Sequence, residues 1–314
     1  MKIFRHFLLI LLLFAENSFA QTFEVLPLGV YGGLNEANIS SYLVKSTSSD
    51  QYIAMDAGTL YAGLVKAKML QNISLNPTDF LQHHVQSYFI SHPHLDHISG
   101  LILNAPSLKN KTIYGLQFTT DAIVKHYFSW DTWANFGDEG EKPQLKNFHI
   151  ATLQNEQPIQ DSISNLKITP FILSHASPHH STAFLIQNKD TYILYFGDTG
   201  PDRIEKSTHL ENVWKYVAPL IKKKQLKAVF IETSFPNSQP DKLLFGHLTP
   251  SWLNKEFTTL ANYTGKKALK NLSIVITHIK PEGDHENTIK NELKAKNPFH
   301  LKWIFPKQGV PLYF

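Results

Sequence analysis

Four side chains that can bind a metal lie within His92-Pro93-His94-Leu95-Asp96-His97, directly after the apolar run Tyr88-Phe89-Ile90 and Ser91. The run reads as a buried strand. Burying three imidazoles and a carboxylate at its end is costly unless something neutralises and orders them. A divalent cation does both. In near-extended backbone His92 and His94 project to the same side and reach one ion. Asp96 and His97, one turn further on, are displaced enough to serve a second. Pro93 fixes its own φ and biases His92 away from helix, so a rigid loop is expected. The competing interpretation, a histidine-rich surface loop, is disfavoured by this spacing at a strand end.

A dinuclear centre needs more ligands than one loop supplies, and three later strand ends carry suitable side chains. Leu173-Ser174-His175 ends an apolar run with an imidazole, and Ile276-Thr277-His278 ends another. Tyr195-Phe196-Gly197-Asp198-Thr199-Gly200 ends one with a carboxylate in a glycine turn. A lone histidine at a strand end is commonly a hydrogen-bonded structural residue. Four strand ends converging on one type of ligand set point to metal instead. Nitrogen and oxygen ligands without any thiolate suit zinc, with manganese or iron as alternatives. His179 and His180 rival His175; the strand Ile168–Leu173 delivers His175, whereas that pair sits in a Ser/Pro-containing loop.

Such strand ends must be held by an α/β frame. Phe23–Leu28, Ser41–Val44, Tyr52–Met55 and Val85–Ile90 read as strands, as do Leu166–Leu173, Ala183–Ile186, Tyr192–Phe196, Ala228–Ile231 and Ser273–Thr277. Gly29, Gly32-Gly33 and Asp56-Ala57-Gly58 read as turns. Helices are expected over Leu60–Leu70, from Asn76-Pro77, over Ile98–Leu103, and over Leu210–Lys222 and Ser251–Leu260. Thr249 supplies an N-cap for the last of these, with Pro250 in its first turn. Residues 126–147 are irregular, aromatic and charged and read as an inserted loop. Within it Phe128, Trp130 and Trp133 are candidates to stack on a purine, although aromatic loops usually pack on the protein. Two sheets with helices outside is the layering this alternation predicts.

Residues 1–20 read as a secretory signal peptide: Lys2 and Arg5, an apolar run from Phe7 to Phe14, then Ser18-Phe19-Ala20 as a small-x-small cleavage site. The run is short for a membrane span. Residues 21–314 are then expected to form a single large globular domain, exported to the periplasm or beyond. Losing Lys2, Arg5 and Glu16 with the leader lowers the formal charge of +4 by one. That mild balance, with no dense basic patch, argues against a nucleic-acid polymer as partner. Lys222-Lys223-Lys224 reads as the solvated end of a helix. With no cysteine and 42% hydrophobic residues, stability must come from a large core and not from disulfides.

The ligand order His-x-His-x-Asp-His, His175, Asp198, His278 resembles the metallo-β-lactamase fold superfamily. Within it, four stretches resemble the class II 3′,5′-cyclic-nucleotide phosphodiesterases. They are the fifteen residues from His92 to Pro106, Phe196-Gly-Asp-Thr-Gly-Pro-Asp202, Ile231-Glu-Thr-Ser-Phe-Pro236 and Gly246-His-Leu-Thr-Pro250. Ala105 stands where that signature usually has serine. The resemblance implies a four-layer αβ/βα sandwich with two mixed sheets. It also implies that His92, His94 and His175 hold one ion, that Asp96, His97 and His278 hold the other, and that Asp198 bridges them.

The expected reaction is opening of a cyclic nucleotide, cAMP or cGMP, to the 5′-monophosphate. Two ions activate a water and offset phosphoryl charge, and the departing 3′ alkoxide needs a proton. His247 is the candidate to contact the phosphate and protonate that oxygen. Glu232 is the candidate to orient His247 or a ligating histidine, and Asp96 joins these two in the catalytic set. The structural alternatives are a helix-capping His247 and a buried structural Glu232. A second enzymatic reading keeps the metals and changes the substrate to another phosphodiester, a lactone or a sulfate ester. A third is an exported metal- or nucleotide-binding protein without turnover, which the full ligand set counts against.

Overall fold

The strand-forming runs are almost continuously apolar, which suits strands covered on both faces. The computed structural model describes residues 21–314; the signal-peptide reading of residues 1–20 lies outside them. The first sheet contains β1 (Phe23–Gly29), β2 (Ser41–Ser46), β3 (Tyr52–Met55), β4 (Val85–Phe89), β5 (Lys111–Leu116) and β6 (Phe148–Leu153). The second contains β7 (Ile159–Gln160), β8 (Lys167–Ser174), β9 (His180–Asn188), β10 (Thr191–Phe196), β11 (Leu226–Glu232), β12 (Ser273–Thr277) and β13 (Lys302–Ile304). β14 (Leu312–Tyr313) returns to the first sheet beside β1, giving the orders β14-β1-β2-β3-β4-β5-β6 and β13-β12-β11-β10-β9-β8-β7. Both sheets mix parallel and antiparallel pairs.

Side-chain alternation sets the layers. From β10, Ile193 and Tyr195 point at the facing sheet and pack with Tyr42, Phe89, Phe184 and Phe230. Leu194 and Phe196, one residue out of phase, pack on the helical side with Trp214 and Phe257. The helices are α1 (Tyr61–Met69), α2 (Pro77–His84), α3 (Leu95–Asn104), α4 (Gln117–Ala122), α5 (Asp202–Glu205), α6 (His209–Lys222), α7 (Pro250–Thr264), α8 (Lys266–Leu269) and α9 (His285–Ala295). Leu64, Leu81 and Leu101 from α1, α2 and α3 bury against the outer face of the first sheet. Val213, Leu253 and Ile289 from α6, α7 and α9 do so against the second. The result is helix, sheet, sheet, helix, the metallo-β-lactamase arrangement.

The helix starts follow the sequence signals. Asn76 caps α2 by accepting from the Asp79 amide, with Pro77 in the first turn, and Thr249 accepts from the Trp252 amide at the start of α7. Lys222, Lys223 and Lys224 are exposed at and just beyond the end of α6. Three expectations need correction. α3 begins at Leu95, not Ile98, with His94 as its N-cap residue, so Asp96 and His97 ride a helical first turn instead of a loop. His180 is not in a loop but opens β9, opposite Ser174. Phe128 is fully buried beside Phe136 and Phe148 and has no face to offer a base; Trp130 and Trp133 are part-exposed.

Candidate metal centre

β3 and β4 run parallel, and so do β10, β11 and β12. β8 shares the direction of β10 because each is antiparallel to β9. The residues following these strands therefore emerge at common edges and meet across the gap between the sheets. The His278 amide donates to Val30 O at 2.9 Å and the Gly32 amide to Ile279 O at 3.0 Å, tying the two sheets together there. Gly32 is required by contact: a Cβ on it would sit 2.3 Å from the His278 ring.

Donor atoms of His92, His94, His175 and Asp198 lie within 4.8 Å of one another, as do those of Asp96, His97, Asp198 and His278. Asp198 belongs to both groups. Its Oδ1 is 3.2 Å from His97 Nε2, and its Oδ2 is 3.2 Å from His278 Nε2 and 3.7 and 3.8 Å from His92 and His175 Nε2. The structure thus brings together all seven side chains nominated from the sequence. His179 is exposed and His180 packs on Phe118 and His209.

Whether these residues suit a cation is decided by where their lone pairs point. His97 donates from Nδ1 to Asp56 at 2.8 Å, and His175 from Nδ1 to Gly246 O at 2.9 Å. His278 Nδ1 donates to Ser234 Oγ at 2.9 Å, since that hydroxyl gives its own proton to Glu232 at 2.6 Å. Each outer bond fixes a tautomer that turns the Nε2 lone pair inward. His92 Nε2, His97 Nε2 and Asp198 Oδ1 are buried without any hydrogen-bond partner, at a typical cost of about 1–3 kcal/mol per buried polar atom. Converging, orphaned acceptors are what a metal satisfies, and the set fits one.

Charge in the cluster agrees. Burial, aided by the neighbouring imidazoles, holds His92 well below its ordinary pKa, and burial brings His175 down to about 4. Burial opposes ionisation of Asp96 and Asp198, but the imidazoles of His97 and His278 override it and hold both carboxyls low. His97 differs: burial lowers its pKa, yet Asp198 and Asp56 on either side raise it well above the usual value. A proton there neutralises carboxylates that a cation would otherwise neutralise.

Glu232, His247 and His278 form a third cluster within 4.8 Å. Here the carboxylate is already saturated. Oε1 accepts from the Thr199 amide at 3.0 Å and His247 Nδ1 at 2.8 Å; Oε2 accepts from Ser234 Oγ at 2.6 Å and the Leu248 amide at 3.2 Å. Little remains for a cation. Burial lowers the His247 pKa, but the touching Glu232 carboxylate, with Asp198 behind it, raises it overall.

Asp56 is the residue sequence reasoning missed, marking it only as part of a turn. It is fully buried and accepts from His97 Nδ1, the Ser91 amide and hydroxyl at 2.7 and 2.9 Å, and the Tyr195 hydroxyl at 2.7 Å. The available signal was a carboxylate closing an apolar strand, as in Phe196-Gly197-Asp198. Asp56 and His278 both sit at positive φ, 55° and 57°, a strained setting that clusters at functional sites.

The family model for class II cAMP phosphodiesterases matches residues 19–300. The chain is 36% identical to a 3′,5′-cyclic-nucleotide phosphodiesterase of Aliivibrio fischeri, over 96% of each chain. It is 38% identical to a probable 3′,5′-cyclic-nucleotide phosphodiesterase of Yersinia pestis, over 95% of this chain and 90% of that one. The crystal structure of unliganded yeast PDE1 superposes with a TM-score of 0.81 at 25% identity, over 94% of this chain and all of that one. The metallo-β-lactamase fold protein YhfI of Bacillus subtilis shares the fold at a TM-score of 0.62 and 20% identity, over 93% of this chain and all of that one.

Proposed function

Because this chain belongs to the family of class II cAMP phosphodiesterases, we propose that it opens 3′,5′-cyclic nucleotides, cAMP or cGMP, to nucleoside 5′-monophosphates. His92, His94 and His175 hold one divalent ion, Asp96, His97 and His278 the other, and Asp198 is common to both. Zinc is the first choice, on the nitrogen-rich, thiolate-free donor set. The observation that carries this is the position of Asp198, whose two oxygens lie 3.2 Å from His97 and His278 of one group while Oδ2 is also 3.7 and 3.8 Å from His92 and His175 of the other.

When bound, such ions supply Lewis acidity toward phosphoryl oxygens and lower the pKa of a water. The rest is the work of the chain. Asp96, with 20% of its side chain exposed, keeps a carboxylate oxygen accessible to accept the proton of an attacking water. Water oxygen bonds to phosphorus, and the bond to the 3′ oxygen breaks in line. That alkoxide is a poor leaving group without a proton. His247, whose pKa is raised by the touching Glu232 carboxylate against the effect of burial, is placed to deliver one. Glu232 touches no substrate; it positions His247 and, through Ser234, His278.

Residues 21–314 act as one domain, supported by the shared core between the two sheets. The chain is exported behind residues 1–20, a proposal resting on the composition of that segment. Among the described residues no helix is long and apolar enough to cross a membrane. The purified protein, analysed for bound metals, is to be assayed on cAMP, bis(p-nitrophenyl) phosphate and nitrocefin. Metal-dependent release of 5′-AMP is expected. Metal-loaded protein that cleaves only another of these, or none, rejects the proposal.

A further inference from the structure

Lys280 lies two residues beyond His278 and is only half-buried. Its backbone amide is fixed by Ser234 O at 3.1 Å, so the side chain starts from the rim of the centre. The ammonium has no carboxylate within ion-pair distance among the described residues, whereas Lys45, Lys215 and Lys290 are each paired. Its contacts are a long 3.5 Å approach to Gly32 O and the Phe235 ring, whose centroid is 5.9 Å away. A Cβ built on Gly33 would be 4.0 Å from both Lys280 Nζ and Asp96 Oδ2, so the ammonium and that carboxylate flank the same point.

An unpaired cation beside a centre built to hold cations is electrostatically unfavourable by itself. It becomes favourable once an anion enters between them. A cyclic phosphodiester carries one negative charge, and the monoester product carries about 1.5 to 2 near neutral pH. Negative charge on the phosphoryl oxygens therefore grows along the reaction, and a fixed ammonium at the mouth gains with it.

We propose that Lys280 is a substrate-binding residue whose ammonium takes a non-bridging phosphoryl oxygen, holding the 5′-phosphate product more tightly than the cyclic substrate. This rests on the phosphodiesterase reading above. The test compares Lys280→Met and Lys280→Arg with the wild type, all metal-loaded and analysed for metal content and melting temperature. The readouts are kcat and KM for cAMP, and the affinities for 5′-AMP, inorganic phosphate and adenosine.

Lys280→Met is expected to retain its metals and lose on the order of 10- to 100-fold in kcat/KM, below the roughly 10²- to 10³-fold of a fully enclosed donor to developing charge because this side chain is only half-buried. Its affinity for 5′-AMP and phosphate should fall about tenfold, the scale of one charge-assisted contact, with adenosine unaffected. Lys280→Arg should recover part of both losses. Unchanged phosphate affinity in Lys280→Met, or equal losses for 5′-AMP and adenosine, would overturn the assignment. A wild type inert toward cAMP would sink the cyclic-nucleotide reading instead, and the phosphate affinities would still decide the role of Lys280.

Discussion

The carboxylate of Asp56 takes the Nδ1 proton of His97 at 2.8 Å, which leaves Nε2 of the same ring facing Asp198 at 3.2 Å. Asp56 thereby selects the tautomer that can bind a metal. It also anchors Ser91, the residue before His92, through two hydrogen bonds. Asp56→Asn presents an amide with a different donor pattern, and orienting carboxylates of this kind typically change metal affinity about 10- to 100-fold. We expect a loss of that size, read by competition with a chelator. Wild-type metal retention in Asp56→Asn would exclude an orienting role.

His247 and Glu232 make the second prediction. Removal of the imidazole in His247→Ala leaves the seven nominated ligands in place, so metal content should not change. Turnover of cAMP should drop about 10²- to 10⁴-fold, the usual contribution of a positioned acid. A p-nitrophenyl phosphodiester releases a stable anion that needs no proton, so its hydrolysis should suffer far less. Equal losses on both substrates would mean that His247 binds phosphate without donating a proton.

Much of this centre was legible in the sequence because metal ligation demands particular atoms at particular strand ends. The six-residue cluster at His92–His97, and His175, Asp198 and His278 after apolar runs, stand out for that reason. Asp56 escaped because a carboxylate that only orients a ligand needs no motif of its own. Its partners His97, Ser91 and Tyr195 are 41, 35 and 139 residues away. The helix start at Leu95 was misplaced because Pro93 argued for loop, whereas it precedes the first turn and leaves that turn free to form. Phe128 looked available for a base because composition marks an aromatic loop without telling which rings turn inward. The edge strands β13 and β14 are three and two residues long, too short for any periodicity to register.

Gly32 gives a prediction about packing. The Gly32 amide is bonded to Ile279 O at 3.0 Å, so the backbone cannot retreat without breaking a link between the sheets. In Gly32→Ala the new methyl falls 2.3 Å from the His278 imidazole, well inside contact. Either the ring swings away from Asp96 and Asp198 or the loop lifts. Metal content should fall and the melting temperature should drop by several degrees, as for a destabilisation of about 1–3 kcal/mol from overpacking. A fully loaded Gly32→Ala protein with wild-type stability would show that the Gly32 loop does not constrain the ligand.

Glu256, on the inner side of α7 and away from the metal centre, predicts how stability changes with pH. Burial, reinforced by the charge of Asp202, raises its pKa to about 7. Asp202 cannot turn away, because it accepts from Ser207 and from the Leu210 and Glu211 amides at the start of α6. A raised carboxylate means the folded chain keeps a proton that the unfolded chain releases. Its contribution is complete below the unfolded pKa of 4.5 and is lost as pH climbs through about 7. Glu256→Gln stays neutral throughout. Near pH 4 it should match the wild type, and near pH 8 it should be more stable by on the order of 3 kcal/mol at most, or about 5 °C in melting temperature. Taking the difference between variant and wild type at each pH cancels the titration of the metal-site groups common to both. A gap that is constant from pH 4 to pH 8, or that widens toward acid, would show that Glu256 is not held protonated in the folded chain.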